Sequence, residues 1–184
     1  GMSPDGTPYI CYKQLYTQNE TGVLFHLVHW GGNGWIDEAV PAIDQPEGYS
    51  YTRTVSIYFD LDGEPHVVFN VSGNAEIREM WKSAGEWTCE TALPTNGYEW
   101  QTNWSLTQDS QRQPWMLVTS FKESSDWVGD LYVVHKHGSR WSYEAIVSGA
   151  WLHNLAGLAL DNVDKPHVVY SEYSQDALVH IWKE

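Results

Sequence analysis

The stretch "EPHVVF" at residues 64–69 returns as "KPHVVY" at 165–170, and that repetition limits the fold more than any other feature of the chain. Four prolines anchor it, Pro8, Pro65, Pro114 and Pro166, opening the phrases "PYICY", "PHVVF", "PWMLV" and "PHVVY". They stand 57, 49 and 52 residues apart. A second anchor is the tryptophan of "GWIDEAV", "EWTCETAL" and "RWSYEAIV": Trp35, Trp87 and Trp141 are spaced by 52 and 54. Two anchors that keep one period define a repeat of about fifty residues.

Within each repeat the runs rich in Val, Ile, Tyr, Phe and Trp, bounded by Gly, Asp, Asn and Ser, read as strands, and no segment carries a capped 3.6-residue apolar period. The second repeat shows the full set: strand A "TVSIYFD", turn "LDGE", strand B "PHVVFNV", strand C "EIREMWK", turn "SAGE", strand D "WTCETAL". Four antiparallel strands recurring at this period predict an all-β fold of β-propeller blades. Proline as the first residue of strand B removes no ladder donor and pushes the residue before it toward an extended form. Asp60, Asp109 and Asp161 each stand five before the proline, where a carboxylate can close the A–B turn on the backbone. Ser56, Ser105 and Gly157 fall nine before it, and small side chains there predict a crowded innermost strand.

The repeats run approximately 1–44, 45–95, 96–148 and 149–184, forming one domain over 1–184. The first begins at its A–B turn without a strand A, and the last stops after strand C. The expected architecture is therefore four four-stranded blades with the first and last incomplete. They form a four-blade ring, half of an eight-blade ring made by a homodimer, or a portion of a longer propeller.

A formal charge of −14, from 24 acidic and 10 basic residues, repels phosphate backbones and argues against nucleic acid as a partner. No run approaches the roughly 18 apolar residues of a membrane helix, so no membrane insertion is expected. Gly1 ahead of Met2 reads as the scar of a cleaved tag; a secreted or periplasmic setting is the expectation. Two cysteines, Cys11 and Cys89, make no disulfide framework, and both read as small buried hydrophobes.

The blade phrase, with strand A, "D-x-x-G-x-P-H-V-V-[FY]", a strand C ending in Trp, then a Gly turn and Trp, resembles the repeats of bacterial propellers of the sialidase-like, BNR-related kind. The C–D turns resemble degenerate Asp-boxes: Gly32 to Trp35 and Gly138 to Trp141 keep the Gly-x-x-Trp half, "SAGEW" keeps Ser83, Gly85 and Trp87, and none keeps the Asp. The resemblance implies a fold. A sialidase site would need converging arginines, because only the guanidinium grips a carboxylate in bidentate fashion. Arg53, Arg78, Arg112 and Arg140 occupy a D–A loop, a C strand, an A–B turn and a C–D turn, which do not meet.

Carboxylates for glycoside hydrolysis are available on loops (Asp44, Glu47, Glu99, Glu123, Asp126, Asp176), but solvated loop charge is the better explanation of them. His66 and His167 occupy the same repeat position as Tyr9 and Trp115, which predicts packing rather than ligation, and His135 with His137 lacks a third ligand in sequence. No metal and no cofactor is expected. Trp30, Trp35, Trp81, Trp87, Trp141 and Trp182 recur at fixed positions and read as wedges between blades, while Glu38, Glu90 and Glu144 read as outward-facing. The aromatics that do not repeat, Tyr49, Tyr51, Tyr98, Trp100, Trp127, Trp151 and Tyr173, fall on D–A and B–C loops of one face and are the candidate ligand contacts. The expected function is a non-catalytic module binding neutral glycans there, with a glycoside hydrolase or a protein-interaction disc as the alternatives.

Overall fold

The computed structural model describes residues 1–15, 23–40, 55–71, 76–94, 99–121, 128–172 and 176–182, and among these the chain is all-β with no helix. Thirteen strands follow in order: β1 Tyr9–Leu15, β2 Val23–Trp30, β3 Trp35–Val40, β4 Val55–Phe59, β5 Pro65–Val71, β6 Glu76–Ser83 and β7 Glu86–Leu93. Then come β8 Glu99–Gln108, β9 Pro114–Phe121, β10 Val128–His137, β11 Arg140–Leu160, β12 Pro166–Glu172 and β13 Ala177–Trp182. Each strand is hydrogen-bonded to the next in sequence within three sheets, ordered β1-β2-β3, β4-β5-β6-β7 and β8 through β13. Strand β11 serves two ladders: Arg140–Trp151 pairs with β10, and Leu152–Leu160 pairs with β12. Taken as two halves it restores ladders of three, four, four and three strands, as the repeat predicts. One further pairing precedes β1, where Met2 bridges Pro8 and the Tyr9 N–H donates to the Gly1 carbonyl at 2.9 Å.

Two compact units divide the chain, residues 1–92 and 93–184. In the first, Phe25, Leu27 and Val40 of the β1-β2-β3 sheet pack on Val67, Phe69 and Met80 of the β4–β7 sheet. In the second, Leu117, Leu131 and Val133 of the β8–β10 ladder pack on Leu158, Val168 and Tyr170. Burying each such side chain stabilises by about 1.5–3 kcal/mol. "HVVF" is buried throughout because β5 is the second strand of its ladder and is covered on both faces, which is why it reads as a continuous apolar run. Cys11 and Cys89 are not joined in a disulfide; both pack against the first unit's core, and burial pushes the Cys11 thiol up to about 12.

The turns explain the proline phrase. Asp60 donates its N–H to the Glu64 carbonyl at 3.2 Å, and Gly63 donates back to the Asp60 carbonyl at 3.2 Å. This is a type I turn closed by a left-handed residue, as in three-residue hairpin loops. The side chain reinforces it: Asp60 Oδ1 accepts from the N–H of Asp62 at 3.0 Å and of Glu64 at 2.9 Å. Asp109 does the same with Gln111 and Gln113, at 2.9 and 2.8 Å, and Asp161 with Val163 and Lys165, both at 2.9 Å. The first repeat uses Ser3, also five before its proline, whose Oγ accepts from the Thr7 N–H at 3.0 Å. All four turns place the residue two before the proline at positive φ: Gly6 86°, Gly63 85°, Arg112 58° and Asp164 62°.

Two expectations need correction. Trp30, Trp35 and Trp182 are exposed rather than wedged, because they stand on sheet faces that no residue of their own unit covers. Gly157 is not crowded either, since a Cβ there would meet nothing within 4 Å. The neighbouring position is occupied chemically instead: Ser105 Oγ accepts from the Leu158 N–H at 2.7 Å and donates to the Leu158 carbonyl at 3.2 Å, tying β8 to β11.

Arg112 holds a left-handed conformation that costs a non-glycine residue roughly 1–2 kcal/mol. Arg112→Gly should raise stability by about 1 kcal/mol after the entropy glycine adds to the unfolded chain, read as a higher urea midpoint. Asp161 is held below the ordinary carboxylate range first by the N–H of Lys165 and then by that of Val163. Its contribution is complete above the unfolded carboxyl pKa and is lost as pH falls through the lower folded one. Asp161→Asn should therefore lose less of its melting temperature than the parent between about pH 5 and pH 2.

Candidate functional site

The second oxygen of each turn aspartate faces the ring that follows the proline. Asp109 Oδ2 accepts the Trp115 Nε1–H at 3.3 Å, Asp60 Oδ2 lies 3.4 Å from His66 Nε2, and Asp161 Oδ2 lies 3.8 Å from His167 Nε2. Ser3 has no such oxygen, and its repeat carries Tyr9, a ring without an N–H. Each of these rings sits opposite an aromatic or His partner in the next strand: Tyr9↔His29, His66↔Trp81, Trp115↔His135 and His167↔Trp182. Tyr9 and His29 stack at 5.1 Å, His66 and Trp81 at 5.8 Å, and Trp115 and His135 at 4.5 Å with 15° between planes. His66 is fixed further by Glu79 Oε1 at 2.7 Å and by the Tyr58 hydroxyl at 3.0 Å, a buried cluster whose partners account for its polar groups. The packing role expected for these rings is what the geometry gives them. Among the described residues no group of three His, Cys, Asp or Glu side chains is placed to hold a metal ion.

In the second unit the Trp115–His135 stack forms one wall of a recess of about 360 Å³. Glu144 of β11 lines it alongside the stack, Ile181 of β13 faces them, Trp182 borders it from the end of that strand, and Val133 and Val168 belong to its apolar lining. Trp115 is oriented by Asp109, which is itself tied to two backbone N–H groups, and His135 Nε2 lies 3.0 Å from Ser142 Oγ. The wall is thus braced by hydrogen bonds that start in the turn. Such a site presents flat ring faces, a carboxylate and an imidazole over apolar side chains.

The repeat-equivalent carboxylate of the first unit is already engaged. Glu38 Oε1 forms an ion pair with Lys82 and accepts the Trp87 Nε1–H at 3.2 Å, and the Lys82 ammonium lies 5.7 Å from the Trp87 ring centre. Glu38 is therefore half-buried and paired, while Glu90 and Glu144 are exposed as expected. Trp87 stands on the fourth strand of its ladder, and the β11-β12-β13 ladder has three described strands.

The recess opens near the A–B and C–D turns: Trp115 and Pro166 follow turns, and His135 precedes one. The two described loop aromatics, Trp100 and Trp151, fall toward the other end of the strands. Of them, Trp151 is exposed on β11 opposite Val128, and Trp100 lies on β8 opposite Ser120. Tyr49, Tyr51, Tyr98, Trp127 and Tyr173 lie outside the described residues, as do Asp44, Glu47, Glu123 and Asp126. Arg78 pairs with Glu76 at 3.2 Å, Arg112 sits in the β8–β9 turn and Arg140 opens β11; none lines the recess. The sequence places Trp182 and Glu144 in the scaffold because they recur and leaves His135 beside His137 without a third ligand; the structure brings all three to the recess.

No protein-family model and no curated protein matches the chain. Solved structures do match in fold. AofleA from Arthrobotrys oligospora aligns at TM-score 0.51 and 12% identity over 88% of this chain and 50% of that one. A triple arginine-to-alanine mutant of AofleA aligns at 0.53 and 11% over 99% and 56%. The chain thus spans about half the length of these two. A fucose lectin from Kordia zhangzhouensis, in complex with methyl-fucoside, aligns at 0.49 and 18% over 80% and 97%. These matches lend no support to the sialidase-like type that the blade phrase resembles.

Removing the brace tests the site's construction. Asp109→Ala should cost roughly 1–3 kcal/mol by leaving its N–H partners unpaired, and the Trp115 indole N–H should lose protection from hydrogen exchange. Asp109→Asn should retain most of the stability, because its Oδ1 still accepts both backbone N–H groups, but should lose the indole protection, because an amide NH2 cannot accept the Trp115 N–H.

Proposed function

We propose that the chain is a non-catalytic carbohydrate-binding protein of the β-propeller type, and that its recess takes the ring of a neutral sugar. The observation that carries this reading is the meeting of a half-buried indole, Trp115, and an exposed one, Trp182, with one carboxylate and one imidazole in a braced cleft. A pyranose has an apolar face of C–H groups, which stacks on an aromatic ring, and a rim of hydroxyls that hydrogen-bond to carboxylate and imidazole. About 360 Å³ falls within the range of small-molecule sites. Glu144 is the single carboxylate among the lining residues, whereas hydrolysis of a glycosidic bond calls on two, so binding is favoured over catalysis. Among the described residues no lysine or arginine lines the recess to meet the carboxylate of an acidic sugar, which favours neutral ones. The rival on this same reading is the set of loop aromatics expected from the sequence, Tyr49, Tyr51, Tyr98, Trp100, Trp127, Trp151 and Tyr173, of which Trp100 and Trp151 are described.

Titration calorimetry with a panel of methyl glycosides, the fucoside among them, tests it. A neutral glycoside should bind, Trp182→Ala should weaken that binding at least tenfold, and Glu144→Gln should weaken it severalfold. Trp151→Ala should leave it unchanged. Loss on Trp151→Ala with Trp182→Ala neutral would move the site to the loop end, and silence across the panel would reject carbohydrate altogether.

A further inference from the structure

The recess of the second unit has a counterpart in the first. The Trp115–His135 stack answers to Tyr9–His29, in each case the ring after a proline against its partner in the next strand. Glu144 stands opposite Val133, and Glu38 stands opposite Leu27. Val168 stands opposite Ile181, and Val67 stands opposite Met80. Residues directly opposite in an antiparallel pair share a face, so the register carries the side chains of these walls, and not only their positions, from one unit to the other.

The two counterparts differ in what fills them. In the first unit Leu27, Val67 and Met80 belong to a packed cluster, and Tyr9 and the half-buried indole of Trp87 lie against it. Trp87 comes from β7, the last strand of its ladder. Its Nε1–H donates to Glu38 Oε1 at 3.2 Å, and the Lys82 ammonium, paired with the same carboxylate, lies 5.7 Å from the ring centre. A flat apolar ring thus rests on apolar side chains while one donor at its edge reaches the carboxylate. The recess asks the same two things of a guest, an apolar face for Val133, Val168 and Ile181 and a donor for Glu144. The indole of Trp87 stands in for a sugar, its ring for the C–H face and its N–H for a hydroxyl.

We propose that the first unit holds a second copy of the binding site and that Trp87 is its resident occupant, so that the chain shuts one of its two sites with its own side chain. An occupant carried on the same backbone competes at an effective concentration on the order of millimolar or higher, which keeps out a free sugar of ordinary affinity. The identity of the guest rests on the sugar reading of the recess; the equivalence of the two sites does not. Indole, the occupant in free form, separates the two.

Titration calorimetry of the full chain with indole should give one equivalent, weakened at least tenfold by Trp182→Ala. Trp87→Gly should take up two equivalents, and Glu38→Ala added to it should weaken the second severalfold and leave the first unchanged. Trp87→Phe keeps a ring in place and should still bind one. Where Trp87→Gly does not hold its fold, indole should restore its β-sheet circular dichroism spectrum. A neutral glycoside that binds the parent should follow the same count, one equivalent for the parent and two for Trp87→Gly. One and two equivalents of indole with no glycoside bound to either protein would uphold the paired sites and reject the sugar reading. One equivalent of glycoside in both proteins overturns the proposal and leaves the sugar reading standing. A parent that takes no indole also overturns it, as does a Trp87→Gly protein that indole neither binds a second time nor refolds.

Discussion

The carboxylate of the turn aspartate does two things at once, and the rest of the architecture follows from them. One oxygen gathers two backbone N–H groups and fixes a tight three-residue loop; the other faces the first ring of the outgoing strand. A side chain that serves both the turn and the ring sets the register of the hairpin and the orientation of the aromatic together. That is why the proline phrase recurs as a unit and not as separate conserved bits of turn and strand. The exception keeps the logic: where the aspartate becomes Ser3, the hydroxyl still ties the turn, and the following ring is Tyr9, which has no N–H to offer.

The two units start from the same parts and reach different ends. In the first, the outer carboxylate Glu38 is occupied by a lysine and an indole N–H from the neighbouring sheet, one of which stands on a fourth strand. In the second, the equivalent carboxylate borders a recess because the facing ladder has three described strands and presents Trp182 at its side. A position that is structural in one copy of a repeat becomes a wall of a cleft in the next, through the strand beside it and with no change in the residue type.

Most of the fold was legible in the sequence. The period gave the ladders, the prolines gave the second strand of each, and the aspartates were correctly read as turn closers because an Asx turn depends on residues two and four apart. Ser3 escaped notice because a hydroxyl replaces a carboxylate at that position. The exposure of Trp30, Trp35 and Trp182 was not legible: burial of a face depends on which sheet lies against it, and a repeat pattern treats first, middle and last copies alike. The recess was missed for a related reason. Its residues come from β9, β10, β11, β12 and β13, and each of them, taken singly, looks like the scaffold of its own repeat.

Strand β11 runs unbroken for 21 residues and gives its first half to one ladder and its second to another. One backbone thus joins the two ladders that frame the recess, and the handover coincides with a slipped register between Leu152 and Ala156 and with Gly149 held at a φ of 66°, so the walls are linked through a local irregularity of a strand and not through a loop.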